Sequence, residues 1–318
     1  MRPRRLRLNE YIRDLARETR LHAKDFIYPI FVVEGTGIKR EIPSMPGQYH
    51  FSIDMLSEEI KKIEALNIRA ALIFGIPEKK DALGRESYAK EGIVPRAVGE
   101  IKRASSQMIV VTDVCMCSYT DHGHCGILND RGQVDNDKTL LYLQNIALSH
   151  ANAGADIVAP SDMMDGRVQA IRRALDEAGF TNTAIMSYSV KYASNFYSPF
   201  RSAASSAPSI GNRKSYQMDC ANINEALKVV RLDENEGADI VMVKPALAYL
   251  DVVRKVKDST LLPVAVYNVS GEYAMLKHAV SAGILPPEAI METIISIKRA
   301  GADIIITYFA KELIEELG

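Results

Sequence analysis

Ala153-Gly154-Ala155-Asp156-Ile157-Val158, Glu236-Gly237-Ala238-Asp239-Ile240-Val241 and Ala300-Gly301-Ala302-Asp303-Ile304-Ile305 are one short pattern met three times. Each reads as a helix that ends on glycine and is followed by a buried strand. Glycine supplies the left-handed position just past a helix end, and unbroken Ile/Val runs suit parallel strands covered on both faces. Outward from these three, similar apolar runs give strands at Phe26–Val33, Arg69–Phe74, Met108–Asp113, Asp156–Ala159, Thr183–Tyr188, Asp239–Val243, Pro263–Val269 and Asp303–Thr307. Helical patterns separate them, among them Ser57–Leu66, Gly166–Ala178, Asn222–Glu234, Tyr249–Lys257 and Pro287–Arg299. Eight alternating units point to an α/β fold of the (β/α)8 TIM-barrel type, with a doubly wound open sheet as the alternative. No G-x-G-x-x-G fingerprint is present, which removes the main reason to prefer the open sheet.

A chain of 318 residues suits such a barrel as one domain, residues 23–318, preceded by an extended N-terminal arm over residues 1–22. Hydrophobic residues make up 47%, charged residues 25%, and the net charge is -1, the balance of a globular protein with a large core. Neither a nucleic-acid nor a membrane partner is expected from that balance. The basic start Arg2, Arg4, Arg5 and Arg7 has no aromatic interleaving and no second basic patch behind it, so it reads as a solvated or subunit-contacting arm. No apolar stretch reaches membrane-span length and no signal-peptide core opens the chain, so a cytoplasmic protein is expected. In that compartment clustered cysteines are metal ligands rather than disulfides.

Three of the four cysteines, Cys115, Cys117 and Cys125, follow one strand within eleven residues, and Cys220 stands alone. Three thiolates suggest a zinc site with an open position, as catalytic sites have. His122 or His124 could instead close it as a structural staple from Ser118 to Gly126; Asp113 at the strand end favours catalysis. In barrels of this kind the chemistry lies at the C-terminal strand ends. Those ends carry Asp113, Ser161, Lys191, Lys244, Ser270 and Tyr308. Lys244 ends an apolar strand and precedes Pro245. Burial and a second cation, Lys191, would leave it the neutral amine that attacks a carbonyl, unless Asp113 or Asp162 pairs with it. The small-residue stretch of about 194–215 reads as a mobile active-site lid, with Arg201 and Arg213 able to clamp a carboxylate.

These segments also carry a resemblance. Asp113-Val-Cys-Met-Cys-Ser-Tyr-Thr-Asp-His-Gly-His-Cys-Gly126, Ala159-Pro-Ser-Asp-Met-Met-Asp-Gly-Arg167, Lys191-Tyr-Ala-Ser-Asn-Phe-Tyr-Ser-Pro-Phe-Arg201, Val241-Met-Val-Lys-Pro245 and Val266-Tyr-Asn-Val-Ser-Gly-Glu272 are similar to the signature segments of the zinc-dependent porphobilinogen synthase (5-aminolaevulinate dehydratase) family. The resemblance implies a lyase that condenses two 5-aminolaevulinate molecules into porphobilinogen, losing two waters, in tetrapyrrole (haem) biosynthesis. It makes Lys244 the Schiff-base lysine of one substrate, the P side, and Lys191 the lysine of the other, the A side. Cys115, Cys117 and Cys125 become ligands of a catalytic Zn2+. Arg201, Arg213 and Gln217 would hold the A-side carboxylate, and Ser270 and Tyr308 the P-side one. Asp113, Ser161, Tyr197, Phe200 and Tyr267 complete the implied pocket. The family implies a homo-octamer built by arms that wrap neighbours. Many bacterial relatives place a magnesium-binding glutamate fifteen positions before the Schiff-base lysine, where this chain has Val229. A class I Schiff-base aldolase on the same barrel is the alternative, but it would need neither the cysteines nor the second lysine.

Overall fold

A computed structural model describes residues 1–317. Its strands are β1 (Phe26–Val33), β2 (Lys39–Glu41), β3 (Tyr49–Ser52), β4 (Ala70–Ile76), β5 (Ile109–Val114), β6 (Ile157–Pro160), β7 (Ala184–Lys191), β8 (Ile240–Lys244), β9 (Val264–Asn268) and β10 (Ile304–Thr307). The helices are α1 (Glu10–Leu15), α2 (Leu56–Ala65), α3 (Ile93–Ala104), α4 (Asn136–Asn152), α5 (Arg167–Glu177), α6 (Ser198–Ala203), α7 (Asn224–Asn235), α8 (Leu250–Ser259), α9 (Ser270–Ser281), α10 (Glu288–Ala300) and α11 (Ala310–Leu317). β1 and β4 to β10 run parallel, each beside the next, and β10 closes on β1 through Phe26↔Ile305 and Ile27↔Ile306. The result is the eight-stranded barrel expected from the alternating pattern, and the open sheet is excluded.

The threefold repeat has a physical reason. Gly154, Gly237 and Gly301 take φ of +101°, +98° and +126°, a turn that side chains resist. The aspartate two residues later reaches sideways to the preceding strand: Asp156 accepts from the Val110 amide at 2.7 Å, Asp239 from Ile185 at 2.7 Å and Asp303 from Val264 at 2.8 Å. Each repeat therefore ends a helix and ties the start of its neighbouring strand. Lys102 and Lys257 neutralise two of these carboxylates.

Two departures from the sequence reading matter. A hairpin, β2 and β3, was not foreseen; β3 lies parallel against the upper half of β1, Phe31↔His50 to Val33↔Ser52. β7 also runs on to Lys191, past the expected end at Tyr188, with one extra residue between Ser187 and Val190 relative to β8. Such a bulge re-aims side chains. Ser187 points out to Asp233 under the helices, while Tyr188 and Lys191 both point into the barrel mouth. From Pro3 to Leu15 the arm has no buried residue, and Leu6, Leu8, Tyr11 and Leu15 are exposed.

Candidate active site

The barrel brings both lysines to adjacent strand ends in the same register, Lys191 opposite Lys244, so their side chains emerge on one face. Both are buried, and among the described residues neither has an ion pair with Asp113, Asp162 or any other carboxylate. Lys191 donates to the Ser161 carbonyl. Lys244 points into aromatic rings, with Nζ 4.2 Å from the centroid of Tyr267, 5.1 Å from Tyr188, and 5.2 Å from Tyr197 and Phe200. Burial, then the Lys191 cation, lowers its pKa to about 7 against the opposing pull of Asp113 and the thiols. A neutral amine at that position is a nucleophile. Tyr188 is the residue that sequence reading passed over. Its ring lies near both lysine nitrogens, 5.6 Å from Lys191 and 5.1 Å from Lys244.

Opposite the lysines, the Sγ atoms of Cys115, Cys117 and Cys125 all lie within 4.8 Å of one another, fully in the interior. Hydrogen bonds from Cys115 and Cys125 hold the Cys117 thiol well below its ordinary value, with Arg213 and Lys191 adding to the effect. The donor set fits a thiophilic ion such as zinc. Among the described residues the converged group consists of the three cysteines, and neither His122 nor His124 is part of it. His124 spends both ring nitrogens on the segment above, Nδ1 with Tyr216 Oη at 3.0 Å and Nε2 with the Ile210 carbonyl at 2.8 Å. His122 Nδ1 accepts from the His124 amide at 3.1 Å. Asp113 lies one residue inside the end of β5, between the thiols and the lysines. Burial, then Cys117, pushes its pKa up to about 6 while Ser161 and the two lysines pull it back.

The segment over the mouth is more structured than its composition suggested. It contains the helix α6 and buries Tyr197, Ala203, Ala204, Ser206 and Arg213. Small residues here allow close packing on the barrel mouth. Gly123 has φ +71°, and a Cβ there would run into the Ala207 carbonyl. Arg213 Nη2 donates to the Gly123 carbonyl at 2.9 Å and to that of Ser206. Burial disfavours its charge, yet the cysteines, Cys125 foremost, carry its pKa above the usual guanidinium value. Its Nε, Arg201 Nε, and both polar atoms of Gln217 are buried with no protein partner. Groups left unpaired in this way are costly unless a ligand completes them, and two guanidiniums with an amide form a carboxylate receptor.

On the other side Ser270 Oγ accepts from the Phe200 amide at 2.9 Å, and the hydroxyls of Tyr267 and Tyr308 meet at 2.9 Å. Tyr197 Oη donates to the Lys244 carbonyl at 3.2 Å. Every sequence-predicted site residue therefore falls at one barrel mouth. Cys220 is exposed and outside the thiol cluster.

Residues 1–316 match the family model described as delta-aminolevulinic acid dehydratase. Among curated proteins, the delta-aminolevulinic acid dehydratase of Methanothermus sociabilis is 57% identical over 316 residues, 99% of this chain and 98% of that protein. The Bacillus subtilis protein of the same name is 53% identical, over 98% of this chain and 96% of its own length. Among solved structures, that of the Toxoplasma gondii delta-aminolevulinic acid dehydratase (porphobilinogen synthase), in complex with the reaction product porphobilinogen, superposes with a TM-score of 0.97. It is 43% identical and covers 99% of this chain and 91% of the other. A protein described as "QR15, an Aldolase" matches at a TM-score of 0.51 with 16% identity, a likeness of fold alone.

Proposed function

This chain belongs to the delta-aminolevulinic acid dehydratase family, and from that premise we propose how its own residues divide the work of a lyase that makes porphobilinogen from two 5-aminolaevulinate molecules. The observation that carries the reading is the pairing of Lys191 with Lys244 at adjacent strand ends, facing three converged thiols. Two identical ketones can be joined only by a site that treats them differently, and this one is asymmetric.

On the P side the neutral amine of Lys244 attacks the ketone carbon, and loss of one water gives the imine. The cationic form of that imine sits where the rings of Tyr188, Tyr197, Phe200 and Tyr267 face Nζ, an arrangement that favours a cation while excluding water. Ser270 and Tyr308 receive the P-side carboxylate. On the A side Arg201, Arg213 and Gln217 take the second carboxylate with the donors they leave unpaired, the two guanidinium Nε and Gln217 Nε2, and Lys191, anchored at Ser161, orients the ketone. Asp113 lies between the two halves, poised to accept and return protons. Cys115, Cys117 and Cys125 would hold zinc, which supplies Lewis acidity toward the A-side substrate. Holding both molecules makes the joining step effectively unimolecular. An aldolase would leave the thiols and the second lysine without a task.

We extend the proposal to the assembly. The exposed apolar residues of the arm, Leu6, Leu8, Tyr11 and Leu15, suit a surface that a neighbouring copy covers, in a homo-octamer. Residues 1–22 then act as the subunit-contacting arm, 23–318 as the catalytic barrel and about 194–215 as its lid, in a cytoplasmic enzyme of tetrapyrrole synthesis. No helix among the described residues is long and apolar enough to cross a membrane. Incubating the zinc-loaded protein with 5-aminolaevulinate tests the function: porphobilinogen should form, and its absence would refute the reading.

A further inference from the structure

Glu272 is a fully buried carboxylate that no step above uses. It lies in the first turn of α9, where a glutamate ordinarily does no more than favour the helix N-terminus. Here each oxygen accepts two hydrogen bonds, and the donors come from two different strand ends. Oε1 accepts from the amides of Ala246 at 3.1 Å and Leu247 at 2.6 Å, the turn that follows Lys244. Oε2 accepts from the Val269 amide at 2.9 Å and Asn268 Nδ2 at 3.0 Å, at the end of β9. Asn268 passes the connection on, because its Oδ1 accepts from Thr307 Oγ1 at 2.9 Å at the end of β10. Thr307 in turn accepts from the Phe309 amide at 3.2 Å, which fixes the turn around Tyr308.

One polar network thus spans the ends of β8, β9 and β10, and each of those ends carries one P-side group. We infer that Glu272 is a positioning residue that locks Lys244, Ser270 and Tyr308 into a single frame, so that the imine-forming nitrogen and the carboxylate grip stay at the separation one substrate molecule requires. The inference rests on the P-side roles proposed above. A carboxylate suits this task where an amide does not. Four donors converge on two acceptor atoms, and glutamine would present an NH2 to two of them.

The test uses the full-length zinc-loaded enzyme and 5-aminolaevulinate. Glu272→Gln should slow borohydride trapping at Lys244 by about 10²-fold, the effect of a misplacement near 1 Å, with zinc stoichiometry unchanged. Thr307→Val loosens only the β10 end. It should raise KM several-fold and leave the trapping rate at saturating substrate as in the parent. A merely structural glutamate would lower the melting temperature yet leave trapping per folded chain and KM unmoved, and that result overturns the inference. If Glu272→Gln does not fold, Thr307→Val decides, and an unchanged KM overturns it. A parent enzyme not trapped at Lys244 would overturn the functional reading and this inference with it. A trapped parent beside an equally trapped Glu272→Gln overturns this inference alone.

Discussion

Replacing Lys244 with methionine should end turnover and, at neutral pH, make the barrel more stable. The side chain is 6% exposed, and its pKa falls from 10.5 to about 7, chiefly by burial. Between those two values the unfolded chain binds a proton that the folded one does not, so this group's contribution to stability rises with pH across that window. Its cost is full below about pH 7 and gone above about 10.5. A shift of roughly 3.5 pH units corresponds to about 5 kcal/mol in full, about 4 kcal/mol at pH 7 and about 2 kcal/mol at pH 9. Methionine nearly conserves volume, and the cation–π contacts it forfeits return part of the gain, about 1–2 kcal/mol. Lys244→Met should therefore be more stable than the parent by roughly 2–3 kcal/mol at pH 7, with the advantage shrinking by about 2 kcal/mol at pH 9. Urea unfolding of both proteins at one subunit concentration measures this, since association adds to apparent stability. A variant less stable at pH 7, or an advantage that grows with pH, would refute the account of Lys244 as a lysine held neutral by burial.

Chelation, or Cys125→Ser, should abolish porphobilinogen formation while the circular-dichroism melting curve stays close to that of the holoenzyme; loss of the fold together with activity would make the metal structural. Gly123→Ala should hinder seating of the overlying segment at Ala207, costing about 1–2 kcal/mol of backbone strain and roughly tenfold in KM, and an unchanged KM would count against a lid that closes there. Hydrogen exchange in residues 194–215 should slow when a substrate analogue binds. Magnesium added to zinc-saturated enzyme should give no saturable activation, because Val229 offers no oxygen donor, Glu234 is engaged by Thr260, and Glu236 accepts from the Gln169 amide; several-fold activation would show the inference from Val229 wrong.

The eight barrel strands were legible because each is a continuous apolar run, and the Gly-Ala-Asp repeat marked three of them unmistakably. β2 was not legible: Lys39, Arg40 and Glu41 are all exposed, so no burial pattern betrays them. The true end of β7 was hidden for a different reason. Ser189 and Lys191 look like loop, yet both are buried, Lys191 in a barrel mouth lined by polar and ionisable groups. The cysteines and the lysines could be read from spacing and from their place after apolar runs. Glu272, Asn268 and Thr307 could not, since their partnership exists only once barrel closure sets three strand ends side by side. Tyr188 also escaped, because its inward aim depends on a one-residue bulge that no local pattern announces.

Lys244 is the amine proposed to take the P-side substrate. Borohydride reduction of the zinc-loaded enzyme during reaction with 5-aminolaevulinate, followed by peptide mass mapping across a pH series, tests it most directly. The reduced adduct should appear on Lys244, with a trapping rate that rises through about pH 7 to a plateau as the amine loses its proton. Label confined to other lysines, with Lys244→Ala still making porphobilinogen, would contradict it.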